Sequence, residues 1–286
     1  MPNFELTIAY RVSPFLSPSA PENFNNKLEL VTACLLSFKE AIQGLKTKMY
    51  VIMDRCPYIY EKVFKELFDN LEIKKIESNA AGRNWNGNVQ TFKLQLEYLI
   101  SQQCSEIVMF QEDDYLYFQS IKPMLEFISN ENVDFLSPYL HPWIVNTAWK
   151  KFIKNRIVYD KIEWIQIPYS TNTFMTKKKV LLETRKFLNL YYKTGDMYRF
   201  IILTKSIRPL KIDLPYYKYR IGALKFLRYY LGLREYTLWC PNPTIADHIA
   251  GNPPAYTSLD ELERVKNKAT VCICTRRQKE YIRFFI

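Results

Sequence analysis

The chain has 286 residues, 48% of them hydrophobic and 15% aromatic, and a formal net charge of +11 at pH 7. That apolar content excludes a disordered polymer, and the length fits one large domain or two small ones. The positive excess favours anionic partners, whether nucleic acid, phosphorylated small molecules or an anionic membrane surface. A basic solvated surface explains it equally well, because the charge is spread over short runs such as "TKKKV" (176–180), "KFLR" (225–228) and "TRRQK" (275–279).

No Gly/Ser/Pro-rich linker or low-complexity run divides the chain, so a single domain spanning 1–286 is expected. The six cysteines, at 34, 56, 104, 240, 272 and 274, include no C-x-x-C pair. This argues against a zinc knuckle and points to a reducing compartment. Cys34 and Cys104 read as buried thiols, and "VCIC" (271–274) as part of a strand. The opening residues lack the pattern of a secretory leader. No apolar run approaches the roughly 18 residues of a membrane span, so a cytoplasmic location is expected.

In chain order, "FELTIAYRV" (4–12) predicts a short strand. A helix follows over 27–43, with Leu28, Val31, Leu35, Phe38 and Ile42 at helical spacing. "KMYVIMD" (48–54) predicts a second strand ending in Asp54, and 58–71 a second helix whose start is marked by Pro57. "EIKKIES" (72–78) predicts a third strand, "NAAGRNWNGN" (79–88) a loop, 89–103 a third helix and "EIVMF" (106–110) a fourth strand. This βαβ alternation predicts an α/β fold with a mostly parallel central sheet. Ligands bind outside the carboxyl ends of such strands, where Tyr10, Arg11, Asp54 and the acids after the fourth strand all fall.

The second half is less regular. "VDFLSPYL" (133–140) predicts a strand, 170–188 a strand leading into a helix, 195–206 a helix, and 207–222 a strand that exits at Pro215. "LKFLRYYLGLREYTLW" (224–239) mixes basic and aromatic residues and suits either a membrane surface or a partly buried helix.

The stretch "IVMFQEDDYLYF" (107–118) ends an apolar strand in three consecutive carboxylates, Glu112, Asp113 and Asp114. Alternation along an extended chain allows Glu112 and Asp114 to share one side. Their mutual repulsion is relieved by a divalent cation, and hard oxygen ligands suit Mg²⁺ or Mn²⁺. Solvated acids capping a following helix are the bland alternative.

At this point the chain resembles glycosyltransferases of the GT-A fold, Rossmann-like enzymes that use nucleotide-sugars. "EDD" is similar to a variant of their acidic D-x-D motif. The strand ends "IAYRV" and "VIMD" and the loop "NAAGRNWNGN" fall in the same order as in that family. The resemblance covers residues 5–118 well and 119–286 loosely. It implies a nucleotide-sugar-binding first half and an acceptor-binding second half.

The resemblance assigns roles residue by residue. Tyr10, Arg11 and Asp54 would hold the nucleotide base or ribose, although Asp54 also suits a turn before Pro57. Arg83 and Asn88 would face the nucleotide, although Asn and Gly favour such loops anyway. Asp114 would bind Mn²⁺ or Mg²⁺, and Glu112 and Asp113 would contact ribose or order the metal's water shell. Asp196 in "YKTGDMYRFIIL" would be the catalytic base of an inverting transfer, or else merely cap its helix. His248 would complete the metal site, or serve as a structural donor.

The implied partners are a nucleotide-sugar donor, a UDP-sugar foremost, and a glycan or lipid-linked acceptor, with a peripheral membrane contact and no nucleic acid. His141 and the aromatic residues Tyr139, Trp143, Trp149, Trp164 and Tyr169 suit either sugar stacking or core packing. A nucleotidyltransferase is the first rival, but "RVSPFLSPSAPENF" has no glycine for a phosphate loop. A basic nucleic-acid-binding protein is the second, and there the three acids would repel phosphate.

Overall fold

The computed structural model describes residues 4–16, 24, 26–78, 85–189, 197, 199–206, 231–249 and 255–283, the side chains of 85, 86, 259 and 274–283 excepted. The first half runs β1 (Leu6–Val12), α1 (Lys27–Ala41), β2 (Thr47–Asp54), α2 (Tyr58–Leu67), β3 (Leu71–Ile76), α3 (Trp85–Ser101) and β4 (Ile107–Gln111). Then come β5 (Tyr115–Tyr117), α4 (Lys122–Ile128), β6 (Phe135–Leu136), α5 (Pro142–Asn146) and a 3-10 turn (Ala148–Phe152). The remainder is β7 (Arg156–Tyr159), β8 (Ile162–Gln166), β9 (Phe174–Lys177), α6 (Lys178–Leu188), helical residues at 199–203, β10 (Leu238–Asn242), β11 (Ala246–His248) and α7 (Leu259–Arg283).

Nine of the described strands form one sheet in the order β3-β2-β1-β4-β9-β6-β10-β8-β7. The pairings β3–β2, β2–β1, β1–β4 and β6–β10 are parallel; β9 and β8 are antiparallel to both their neighbours. The sheet is therefore mostly parallel in strand direction, with helices on its faces, and its strands come from both halves of the chain. β5 and β11 form a separate antiparallel pair.

The burial pattern follows from that layering. All seven residues of β1 are buried, as expected of a parallel strand covered on both faces. Leu6, Ile8, Tyr10 and Val12 point to the side of α1 and α2 and pack with Val31, Leu35, Phe38 and Phe64. Ala9 lies on the opposite side with Phe92, Leu96 and Leu99 of α3. β3, at the edge, has no fully buried position and carries Lys74 and Lys75, both exposed, which discourage further strand pairing. β7 and β8 are joined through Asp160 and Lys161, both with positive φ (46° and 65°), the two-residue turn that matches strand twist.

Several sequence expectations change. "VCIC" lies inside α7, not a strand: Leu262, Val265, Ala269 and Ile273 recur at helical spacing and are buried, a 3.6-residue period that a four-residue window cannot show. α3 begins at Trp85, so the loop expected over 79–88 ends sooner. The strand expected over 133–140 is only Phe135–Leu136. Cys34 is buried while Cys104 is partly exposed, and no disulfide joins the described cysteines. The strand expected over 207–222 lies outside the described residues, as do residues 224–230 of the stretch 224–239, whose last two residues open β10. Among the described residues, no helix is long and apolar enough to cross a membrane.

Candidate functional site

The carboxyl end of β4 lies at the centre of the sheet beside the carboxyl end of β1, Tyr10 pairing in register with Gln111. Gln95 of α3 ties the two strands together here, its amide donating to Ala9 O at 2.7 Å and Gln111 O at 3.2 Å. Just beyond, the three carboxylates separate, and each meets a different basic side chain.

Glu112 forms an ion pair with Arg11 of β1. The Arg11 guanidinium also donates to Asn88 O at 3.0 Å and Thr91 Oγ1 at 3.4 Å, both on α3. Asp113 turns the other way, to Lys27 Nζ at 2.9 Å in the first turn of α1, and accepts from Ser13 N at 3.0 Å. Asp114 Oδ2 lies 3.2 Å from His248 Nε2. Each of the three carboxylates thus has its own basic partner.

The antiparallel pairing of β11 with β5 delivers the histidine. His248 is opposite Tyr115, and Ile249 N donates to Asp114 O at 2.9 Å, so main-chain bonds position both members of the pair. The Tyr115 ring lies 4.9 Å from the imidazole, and its hydroxyl bonds Thr171. Asp114 Oδ1 is buried and makes no hydrogen bond.

Electrostatics distinguish the three acids. Burial raises Glu112 and Asp113 against the pull of Arg11 and Lys27 respectively. Burial pushes Asp114 up as well, but His248 first, then Lys27 and Arg11, outweigh it and hold the carboxyl well below its usual range. Burial works against the Lys27 ammonium, yet Asp113 and Asp114 raise it overall. Asp114 also has a buried oxygen without a hydrogen bond. Such an oxygen beside an imidazole fits a divalent cation of the Mn²⁺ or Mg²⁺ type.

The other expected residues fall as follows. Tyr10 is at the strand end but wholly enclosed, packed edge-on against Phe64 at 5.2 Å, with its hydroxyl buried and unbonded. Strand alternation sends Tyr10 into the core and its neighbour Arg11 to the site. Asp54 is buried at the end of β2. Its Oδ1 accepts from Ser78 N at 3.0 Å and its Oδ2 from Ser78 Oγ at 2.7 Å, and Arg55 adds longer bonds to both. Gly87, in the first turn of α3, lies against this carboxylate: a Cβ there would be 2.9 Å from Asp54 Oδ2. The Asn88 side chain is exposed. Arg83 and Asp196 lie outside the described residues.

No protein-family model matches this chain, and no curated protein matches it. Among solved structures it is similar to the galactosyltransferase LgtC in complex with donor and acceptor sugar analogs, at 10% identity and a TM-score of 0.42, over 68% of this chain and 69% of that one. It is also similar to S. aureus TarS 1–349, at 14% identity and a TM-score of 0.45, over 82% of this chain and 57% of that one. A third is the mannosyltransferase PcManGT from Pyrobaculum calidifontis in complex with GDP-Man and Mn²⁺, at 12% identity and a TM-score of 0.43, over 71% and 52%. At such identities and TM-scores, the functional reading rests on the side chains described above.

Lys27 is the site residue that the sequence reading missed. A signal existed: it directly follows the N-cap Asn26, where the helix dipole disfavours a cation, so a Lys in that place calls for an acidic neighbour. Thr91, Thr171 and Thr173 carried no such signal. Thr173 Oγ1 accepts from Glu112 N at 3.2 Å, a contact that only β9 beside β4 makes available.

Proposed function

We propose that this chain is a glycosyltransferase of GT-A type that moves a sugar from a nucleoside-diphosphate sugar to a hydroxyl acceptor, with Mn²⁺ or Mg²⁺ held at Asp114 and His248. One observation carries the reading. Three adjacent carboxylates end β4, two are matched by Arg11 and Lys27, and the third keeps a buried, unbonded oxygen next to an imidazole. Among the described residues, no three His, Cys, Asp or Glu side chains gather to enclose an ion. A pair of ligands leaves positions for water and phosphate oxygens, as Mg²⁺ and Mn²⁺ sites usually do.

When bound, the ion supplies Lewis-acid stabilisation of the departing diphosphate. The protein's own residues do the rest. Arg11 and Lys27 cancel the charge of Glu112 and Asp113, so an anionic donor does not meet three bare carboxylates. Asn88, with its exposed side chain, and Arg83 face the nucleotide, and Asp54, held by Ser78 at the end of β2, contributes to the base or ribose site. Asp196 accepts the acceptor's hydroxyl proton as that oxygen attacks the anomeric carbon, with inversion. The donor is a UDP-sugar, the acceptor a glycan or lipid-linked sugar, and the whole chain acts as one unit.

The test is thermal stabilisation by UDP-, GDP-, CMP- and dTDP-sugars with and without Mn²⁺. A nucleoside diphosphate that stabilises the protein only with metal supports the reading. Stabilisation by nucleic acid, and by none of these donors, refutes it.

A further inference from the structure

The aromatic residues of the second half do not all pack in the core. Trp164 is fully buried and Trp239 is 7% exposed, whereas Trp143 is 60% exposed. An indole left largely in water forgoes the free energy that burying a large apolar side chain yields. Exposure here does not come from a loose segment. Trp143 lies on the single turn of α5, which has Pro142 in its first turn and His141 as cap, His141 Nδ1 accepting from Trp143 N at 3.2 Å. The next residue, Ile144, is fully buried and anchors the turn, and Thr147 Oγ1 donates to Trp143 O at 2.6 Å. The scaffold is pinned on one side and presents an indole on the other.

The location adds the second observation. The His141 ring lies 5.9 Å from Trp143 and 5.7 Å from Tyr139, and Tyr139 lies 6.0 Å from His248. A continuous run of rings therefore leads from the proposed metal pair to the exposed indole. Sugar rings have an apolar C–H face that suits a flat aromatic surface, and a rigid ring loses little entropy on binding.

We propose that Trp143, flanked by His141, is the stacking platform for a carbohydrate acceptor, so that the acceptor class is a saccharide and not a protein hydroxyl. This rests on the sugar-transfer reading of the neighbouring site.

The experiment follows the Trp143 indole N–H resonance of the full-length protein, assigned with Trp143→Phe, during titration with lactose, N,N′-diacetylchitobiose and maltose, and separately with a Ser/Thr-rich peptide. At least one saccharide is expected to shift that resonance. Trp143→Ala should weaken its binding about tenfold, the scale of one lost aromatic stack, and Trp143→Phe should retain most of it. Binding of UDP with Mn²⁺, read by thermal shift, should be the same in both variants as in the parent. A resonance that responds only to the peptide, or to nothing while UDP and Mn²⁺ bind, overturns the platform. A saccharide response that persists when no nucleotide binds supports the platform and rejects the sugar-transfer reading instead.

Discussion

His248 Nε2 and Asp114 Oδ2 meet at 3.2 Å although 134 positions separate them in the chain. β11 pairs with β5 residue by residue, and Ile249 N bonds Asp114 O, so backbone hydrogen bonds fix the pair before any ligand arrives. Asp114→Ala should abolish metal-dependent stabilisation by a nucleoside diphosphate. His248→Ala should weaken Mn²⁺ at least about tenfold, the lower range for disturbing a metal site. Both are read by thermal shift across a Mn²⁺ titration, and an Asp114→Ala protein that still responds in full would remove Asp114 from the site.

Lys27 and Asp113 form an enclosed ion pair at 2.9 Å, with side chains 8% and 13% exposed. Removing one charge strands the other. Lys27→Met should cost about 3–5 kcal/mol, and adding Asp113→Asn should recover much of it. Urea denaturation of the two single variants and the double variant measures the coupling; additive losses would show that the two side chains do not depend on one another.

Gly87 touches Asp54 where that carboxylate cannot yield, since Ser78 N and Oγ already hold both of its oxygens. A methyl group at 87 must push back the start of α3 or break the Ser78 bonds. Gly87→Ala should destabilise the fold by about 1–3 kcal/mol, the usual cost of overpacking. It should also weaken nucleotide binding, because Arg11 donates a hydrogen bond to Asn88 O in the same turn. An unchanged denaturation midpoint together with unchanged nucleotide affinity would contradict this.

Asp196 is the proposed base. Asp196→Asn should leave nucleotide and Mn²⁺ binding intact and lower transfer at least about a hundredfold, the scale of a lost general base. Side-by-side measurement of donor affinity and turnover separates these effects. Equal turnover in the variant would exclude the role.

How much was legible in the sequence differs from residue to residue. The alternation of strands and helices through β4 could be read because hydrophobic period is a local property: "IVMF" and the stripe of Leu28, Val31, Leu35 and Phe38 reveal their faces within a few residues. The placing of Arg11 and the acids at the carboxyl edge followed, since parallel strands end on the same side. Tyr10 was not separable from Arg11 by that reasoning, because only the side on which α1 and α2 dock decides which of two alternating neighbours enters the core. "VCIC" was too short a window to reveal the helical period of α7.

What the sequence by itself determined is the layered α/β order and the presence of three crowded carboxylates at the end of a central strand. Which base answers which acid was decided only by tertiary structure: Arg11 for Glu112, Lys27 for Asp113, His248 for Asp114. The reason is physical. Periodicity and propensity act over one or two turns of chain, whereas these contacts depend on which strands pair and which helix ends meet, across gaps of 86 to 134 residues.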